Sequence, residues 1–189
     1  MTSFEPQLFD SHAHLTDEAY GGLIAPVVER ARESGVTRIV TIGLDIATSK
    51  LCREVADKFG LHFAAGVHPA ESANVSENYI DELRPLLADP RNVAIGEIGL
   101  DFYWPEPPPE PQYKVFHAML ELAGETDKPI VIHQRNSYDA VIEMLTKHPR
   151  VRKGVFHCWS GTVEQVEAVT AMGFYVSFAG NVTYKKADW

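Results

Sequence analysis

Cysteine is scarce: the 189-residue chain contains only Cys52 and Cys158. They lie far apart and outside any CxxC pair. No disulfide framework follows, and a reducing cytoplasm is the expected setting. Positive charge is also short. Lysine and arginine number 17 against 26 aspartates and glutamates, a formal net charge of −9. That balance excludes nucleic-acid binding by bulk basicity; any action on phosphates needs bound metal or a local basic patch. No apolar run approaches the roughly 20 residues of a membrane helix. Met1–Pro6 carries Glu5 and no basic n-region, so a secretory signal is not expected either. The composition, 45% hydrophobic and 23% charged, excludes disorder and low-complexity arrays. The length suits one domain with one core.

Short apolar runs alternate with amphipathic stretches. Strands are expected at Leu8–His14, Arg38–Gly43, His62–Pro69, Asn92–Gly99, Pro129–His133, Lys153–Trp159 and Phe174–Gly180. Helices are expected at Ala25–Gly35, Thr48–Gly60, Ser76–Pro90, Gln112–Glu125, Tyr138–Pro149 and Thr162–Gly173, with Gly35, Gly60 and Gly173 as stops. Ser76 reads as an N-cap, and Pro85 weakens the interior of its helix. The proline-rich segment Tyr103–Pro111 reads as a rigid, extended loop. The strands start about 28 residues apart, the size of a βα unit. Their continuous apolar character fits a parallel sheet covered by helices. Both a (β/α) barrel and an open doubly wound sheet accommodate this pattern. A barrel takes about 250 residues, so the barrel reading leaves seven of its eight strands in residues 1–189.

The chemistry favours the barrel. His12 and His14 sit two apart on the first strand and so share a face. His68, Glu97, His133 and His157 each fall near the C-terminal end of a strand. In a (β/α) barrel those ends form one mouth. Imidazole and carboxylate together suit a divalent metal. A lone strand-end histidine would carry little weight; the joint pattern carries much more. His62, His117 and His148 sit at a strand start, in a helix and at a helix end, and are read as structural.

The segments FDSHAHL, GVHP, GEIGLDFYW, KPIVIHQRN, FHCWSG and GFYVSFAGNVTYKKA, in that order, resemble the TatD family of metal-dependent deoxyribonucleases, within the amidohydrolase-like hydrolases. The resemblance runs from Phe9 to Ala187. It implies a TIM-like barrel and two divalent ions, drawn from Mg, Mn, Zn or Ni. It also implies hydrolysis of DNA phosphodiester bonds from a strand end, with a place in DNA repair. His12 and His14 would hold one ion, His133 and His157 the other, and Glu97 would bridge them. His68 would sit near the substrate phosphate. Arg135 would orient the site or contact phosphate, or else form a structural salt bridge. Asp101 matches an acidic position at the mouth, or caps a turn. The family's strand-eight aspartate has no counterpart, since the sequence ends at Trp189. Ester or amide hydrolysis, such as deacylation of D-aminoacyl-tRNA, and an inactive metal-binding module are the rival readings.

Trp104 with its neighbouring prolines offers either a stacking wall or a rigid surface loop. Cys158, next to His157, is expected to point away from the metal face by strand alternation. Lys185 and Lys186 can meet a phosphate backbone or simply be solvated.

Overall fold

The structure, a computed structural model, describes residues 7–185. Met1–Pro6 and Lys186, on which two of the expectations fall, lie outside them. Seven strands, β1 (Leu8–Ala13), β2 (Val36–Ile42), β3 (His62–Ala65), β4 (Asn92–Asp101), β5 (Ile130–Arg135), β6 (Gly154–Phe156) and β7 (Phe174–Val176), form one sheet in sequential order. Every adjacent pair is parallel. An open doubly wound sheet reverses its strand order at a switch point. No reversal occurs here, so the sheet is that of a (β/α) barrel, curled and with β1 and β7 at its two ends.

The helices α1 (Ile24–Glu33), α2 (Ile46–Phe59), α3 (Tyr79–Leu87), α4 (Pro109–Thr126), α5 (Tyr138–Lys147) and α6 (Val163–Ala171) fill the six crossovers. They cover one face of the sheet, where Phe63, Phe116 and Phe156 are fully buried among leucines and isoleucines. Burying each such side chain contributes about 1.5–3 kcal/mol. The opposite face carries a smaller cluster, Val40, Ile42, Ala64, Ala94 and Val131, drawn from strands alone. Among the described residues no helix is long and apolar enough to cross a membrane.

Boundaries shift where local chemistry overrides the pattern. α3 begins at Tyr79 rather than Ser76, because the Ser76 hydroxyl donates to the Glu82 carboxylate (3.2 Å) instead of capping. It runs through Pro85. α4 begins at Pro109, inside the expected loop, since proline at a first helical turn loses no hydrogen bond. Asp45 and Thr162 close capping boxes with Thr48 and Gln165 and fix the starts of α2 and α6. β3 stops at Ala65 and β6 at Phe156, short of His68 and His157.

Candidate metal centre

Two interruptions of strand register aim the polar side chains. Between Ile95 and Ile98, β4 advances three residues while β5 advances two, from Ile130 to Ile132. Ala94 faces the inner cluster and Ile95 the helices, so plain alternation would turn Glu97 towards the helices. The extra residue re-aims Glu97 inward and returns Ile98 to the helix side. A matching irregularity in β1 falls between Asp10 and Ala13, beside His12. Glycine makes room nearby. At Gly99 a Cβ would collide with the His133 carbonyl oxygen, and its φ of +142° is one that L side chains rarely adopt.

Five imidazoles converge on Glu97, which is 1% exposed. Its two oxygens divide them. Oε2 lies 3.1 Å from His12 Nε2 and 3.5 Å from His14 Nε2. Oε1 lies 2.9 Å from His133 Nδ1, 2.6 Å from His157 Nε2 and 3.5 Å from His68 Nε2. Nitrogen meets nitrogen within each group: His12 to His14 at 3.0 Å, His133 to His157 at 3.2 Å. The His12 and His157 rings stack at 4.0 Å and link the two sides.

These separations, 2.6–3.5 Å, bracket those of a metal polyhedron. Ligand bonds of about 2.0–2.1 Å set neighbouring donor atoms about 2.9–3.4 Å apart in octahedral or tetrahedral geometry. His12, His14 and Glu97 bring one donor atom each within 4.8 Å of one another, and so do His68, Glu97 and His133. Glu97 Oε2 is buried, and the nitrogens set against it are those of His12 and His14. A buried carboxylate oxygen facing imidazole nitrogens is the donor set a divalent cation satisfies.

Protonation separates the roles. His68 Nδ1 accepts the Ala70 N–H at 3.1 Å, so its neutral ring carries the proton on Nε2. Burial, with the neighbouring His133 and His157, pushes its pKa down to about 4 against the pull of Glu97. His68 therefore faces the centre as a neutral N–H donor rather than a lone pair. Burial also depresses His133, but Asp101 and Glu97 outweigh it and lift its pKa to about 9. Burial works against the charged form of Glu97, yet hydrogen bonds from His12, His133 and His157 hold its carboxyl well below the usual range.

All the residues expected at the mouth meet there except Arg135, which faces the adjoining loop. Its guanidinium lies 3.7 Å from the Tyr103 ring centre and 5.6 Å from that of Trp104. The salt-bridge alternative finds no partner among the described residues. Asp101 does two things that the sequence left as alternatives. Oδ1 accepts from Tyr103 N (2.9 Å) and Trp104 N (3.4 Å), while Oδ2 accepts from His133 Nε2 at 2.9 Å. Alternation does not govern Cys158: it lies beyond β6 with φ +48°. Burial and the charge of Glu97 raise its thiol pKa. His117 and His148 do not reach the centre but pair with each other at 2.9 Å. That contact joins α4 to the end of α5 and had no signal in the sequence. Lys185 is exposed.

Residues 9–188 match the family model described as TatD related DNase. The chain is 37% identical to the uncharacterized metal-dependent hydrolase YabD of Bacillus subtilis, over 95% of this chain and 71% of that protein. It is 32% identical to the 3'-5' ssDNA/RNA exonuclease TatD of Edwardsiella piscicida, over 92% of this chain and 68% of that one. The crystal structure of YjjV, a TatD homologue from Escherichia coli, superposes with a TM-score of 0.89 at 28% identity, covering 95% of this chain and 71% of YjjV. Fold, site composition and sequence agree, and the chain belongs to the TatD family of metal-dependent hydrolases.

Proposed function

We propose that residues 1–189 form one hydrolase domain that cleaves phosphodiester bonds of single-stranded nucleic acid, DNA foremost, from a strand end, using two divalent ions. His12 and His14 would hold one ion, His133 and His157 the other, and Glu97 would serve both. The observation that carries this reading is the division of the histidines by the two Glu97 oxygens. A single carboxylate with imidazoles against each of its two oxygens is suited to serve both ions. Imidazole and carboxylate suit Zn, Mn or Ni by affinity, and Mg by availability.

The bound ions supply Lewis acidity and a water whose pKa is lowered towards about 7. The residues of the chain do the rest. His68, neutral at pH 7 and anchored by Ala70, points Nε2–H into the centre, where it donates to a non-bridging phosphate oxygen. Arg135 presents its guanidinium from the rim to the next phosphate along the strand. Asp101 is a positioning residue: it accepts the His133 Nε2 proton and so turns the Nδ1 lone pair towards the ion. Because attraction for phosphate resides at the centre, the net charge of −9 does not oppose the substrate. The free thiols of Cys52 and Cys158 support a reducing compartment, the cytoplasm.

One preparation, assayed against end-labelled single-stranded DNA and against D-aminoacyl-tRNA, tests the substrate class. Elemental analysis of the same sample counts metal. Nuclease activity abolished by chelation and by Glu97→Ala, with two ions per chain, is expected. Deacylation without nuclease activity would overturn the phosphodiester reading. Metal binding without any turnover would leave a binding module instead.

A further inference from the structure

The loop after β4 holds two large aromatic rings in water, rigidly, beside the histidines. Tyr103 and Trp104 are 51% and 57% exposed. Their rings meet edge to face, with centroids 4.8 Å apart. The Gln112 side chain, 2% exposed, clamps both ends of the loop. Its amide donates to the carbonyls of Asp101 (3.0 Å) and Pro107 (2.7 Å) and accepts from Asp101 N (2.9 Å). Between the clamps, Pro105 and Pro107 fix φ. Asp101 ties the loop to the centre, holding Tyr103 N and Trp104 N with one oxygen and His133 Nε2 with the other. The aromatic backbone is thus two hydrogen bonds from an imidazole of the centre.

The Arg135 guanidinium covers one face of Tyr103. It backs the pair with a fixed positive charge, lying closer to Tyr103 than to Trp104 (5.6 Å), and Trp104 is the more exposed of the two rings. A rigid, exposed aromatic face loses little entropy on receiving a flat ligand. Its cost in water is recovered only when something apolar and planar covers it. A nucleobase is such a ligand, and base–aromatic stacking tolerates any sequence because every base has a π-face. Inside a duplex those faces are already occupied by neighbouring bases.

We propose that Trp104, supported by Tyr103 and Arg135, forms a stacking subsite for one unpaired nucleobase next to the hydrolytic centre. The inference rests on the phosphodiesterase reading. It adds the group that would hold an unpaired end: the Trp104 ring, against which the base stacks.

The test is binding of fluorescein-labelled six-nucleotide single strands, carrying phosphorothioate linkages that resist cleavage, to the metal-loaded full chain, followed by anisotropy. Ribose and deoxyribose strands, a blunt duplex, and strands with one abasic position at each site in turn are compared. Trp104→Ala is expected to weaken single-strand binding about tenfold, and Trp104→Phe to retain most of it. One abasic position should weaken wild type by a similar factor while leaving Trp104→Ala unaffected, a pattern that damage to the fold would not produce. The duplex should bind wild type and Trp104→Ala alike. Equal affinity of wild type and Trp104→Ala for intact strands would overturn the subsite, as would equal loss on every abasic strand for both proteins. The cleavage-resistant linkages remove hydrolysis from the readout. Cleavage of DNA with no Trp104 effect sinks only the subsite, and stacking without metal-dependent cleavage sinks only the phosphodiesterase reading.

Discussion

Replacing Asp101 by Asn removes one charge and almost no volume, and the geometry turns it into a test of how His133 is held. In the native site one carboxylate satisfies donors on two sides: Tyr103 N and Trp104 N at Oδ1, His133 Nε2 at Oδ2. An asparagine amide has one acceptor end and one donor end. If its oxygen stays on the two backbone N–H groups, its NH2 faces Nε2. The imidazole must then accept there and carry its proton on Nδ1, the atom 2.9 Å from Glu97 and 3.2 Å from His157. A protonated Nδ1 cannot ligate a metal. If the amide flips, two backbone donors face two amide hydrogens, and a charge-assisted bond worth about 1.5–3 kcal/mol is lost. Either orientation removes something. Orienting partners of metal-bound histidines typically account for 10–100-fold in affinity, or about 1.4–2.8 kcal/mol. Competition against a chromogenic chelator should show that loss at one of the two ions, with the other near wild type. Long-range proton–nitrogen NMR on the metal-free protein above pH 9, where the ring is neutral, should show the His133 proton moving from Nε2 to Nδ1. An Asp101→Asn protein with wild-type affinity for both ions and an unmoved proton would refute the positioning role.

Glu97→Gln should lower the metal content towards zero, because both groups of histidines share that carboxylate, whereas His12→Ala should chiefly empty one position; elemental analysis of both variants decides between a bridging and a one-sided role. Gly99→Ala should cost at least about 1–3 kcal/mol in urea unfolding, since its Cβ would overlap the His133 carbonyl at a φ of +142°; a loss below about 0.5 kcal/mol would contradict the close approach. In chelator, the His68 and His133 contributions to stability should peak near pH 6.5. His133, raised to about 9, contributes fully below 6.5 and loses that contribution as pH rises through 9. His68, lowered to about 4, resists protonation, so stability falls as pH drops from 6.5 towards 4. Each arm is worth up to about 3 kcal/mol, and urea midpoints from pH 4 to 9 that change in the opposite sense on either arm would refute the assignment.

Sequence made the architecture legible because parallel strands covered by helices are almost wholly apolar. Seven such runs at a regular step leave few alternatives. What spacing alone did not reach was the choice between barrel and open sheet, and that came from chemistry: His12, His14, His68, Glu97, His133 and His157 make sense together only at one mouth. The details that spacing did not reach share one cause. Strand periodicity describes a regular ladder, and the functional residues sit where the ladder is irregular. Glu97 faces inward through an extra residue in β4, a displacement that strict alternation would assign to the wrong face. His157 and Cys158 lie past the end of β6, where a left-handed residue resets direction, so a prediction for Cys158 from alternation had no basis. Asp101 was read as either a cap or a mouth residue because one-dimensional patterns assign a side chain one partner, and a carboxylate has two oxygens. The rim loop shows the same limit from the other side. Its prolines announced rigidity, but the clamp is Gln112, eleven residues beyond Asp101 and indistinguishable in sequence from any other polar residue on a helix. In this fold, hydrophobic periodicity builds the scaffold. The chemistry is placed by departures from it, each held by a few buried hydrogen bonds that only the assembled structure brings together.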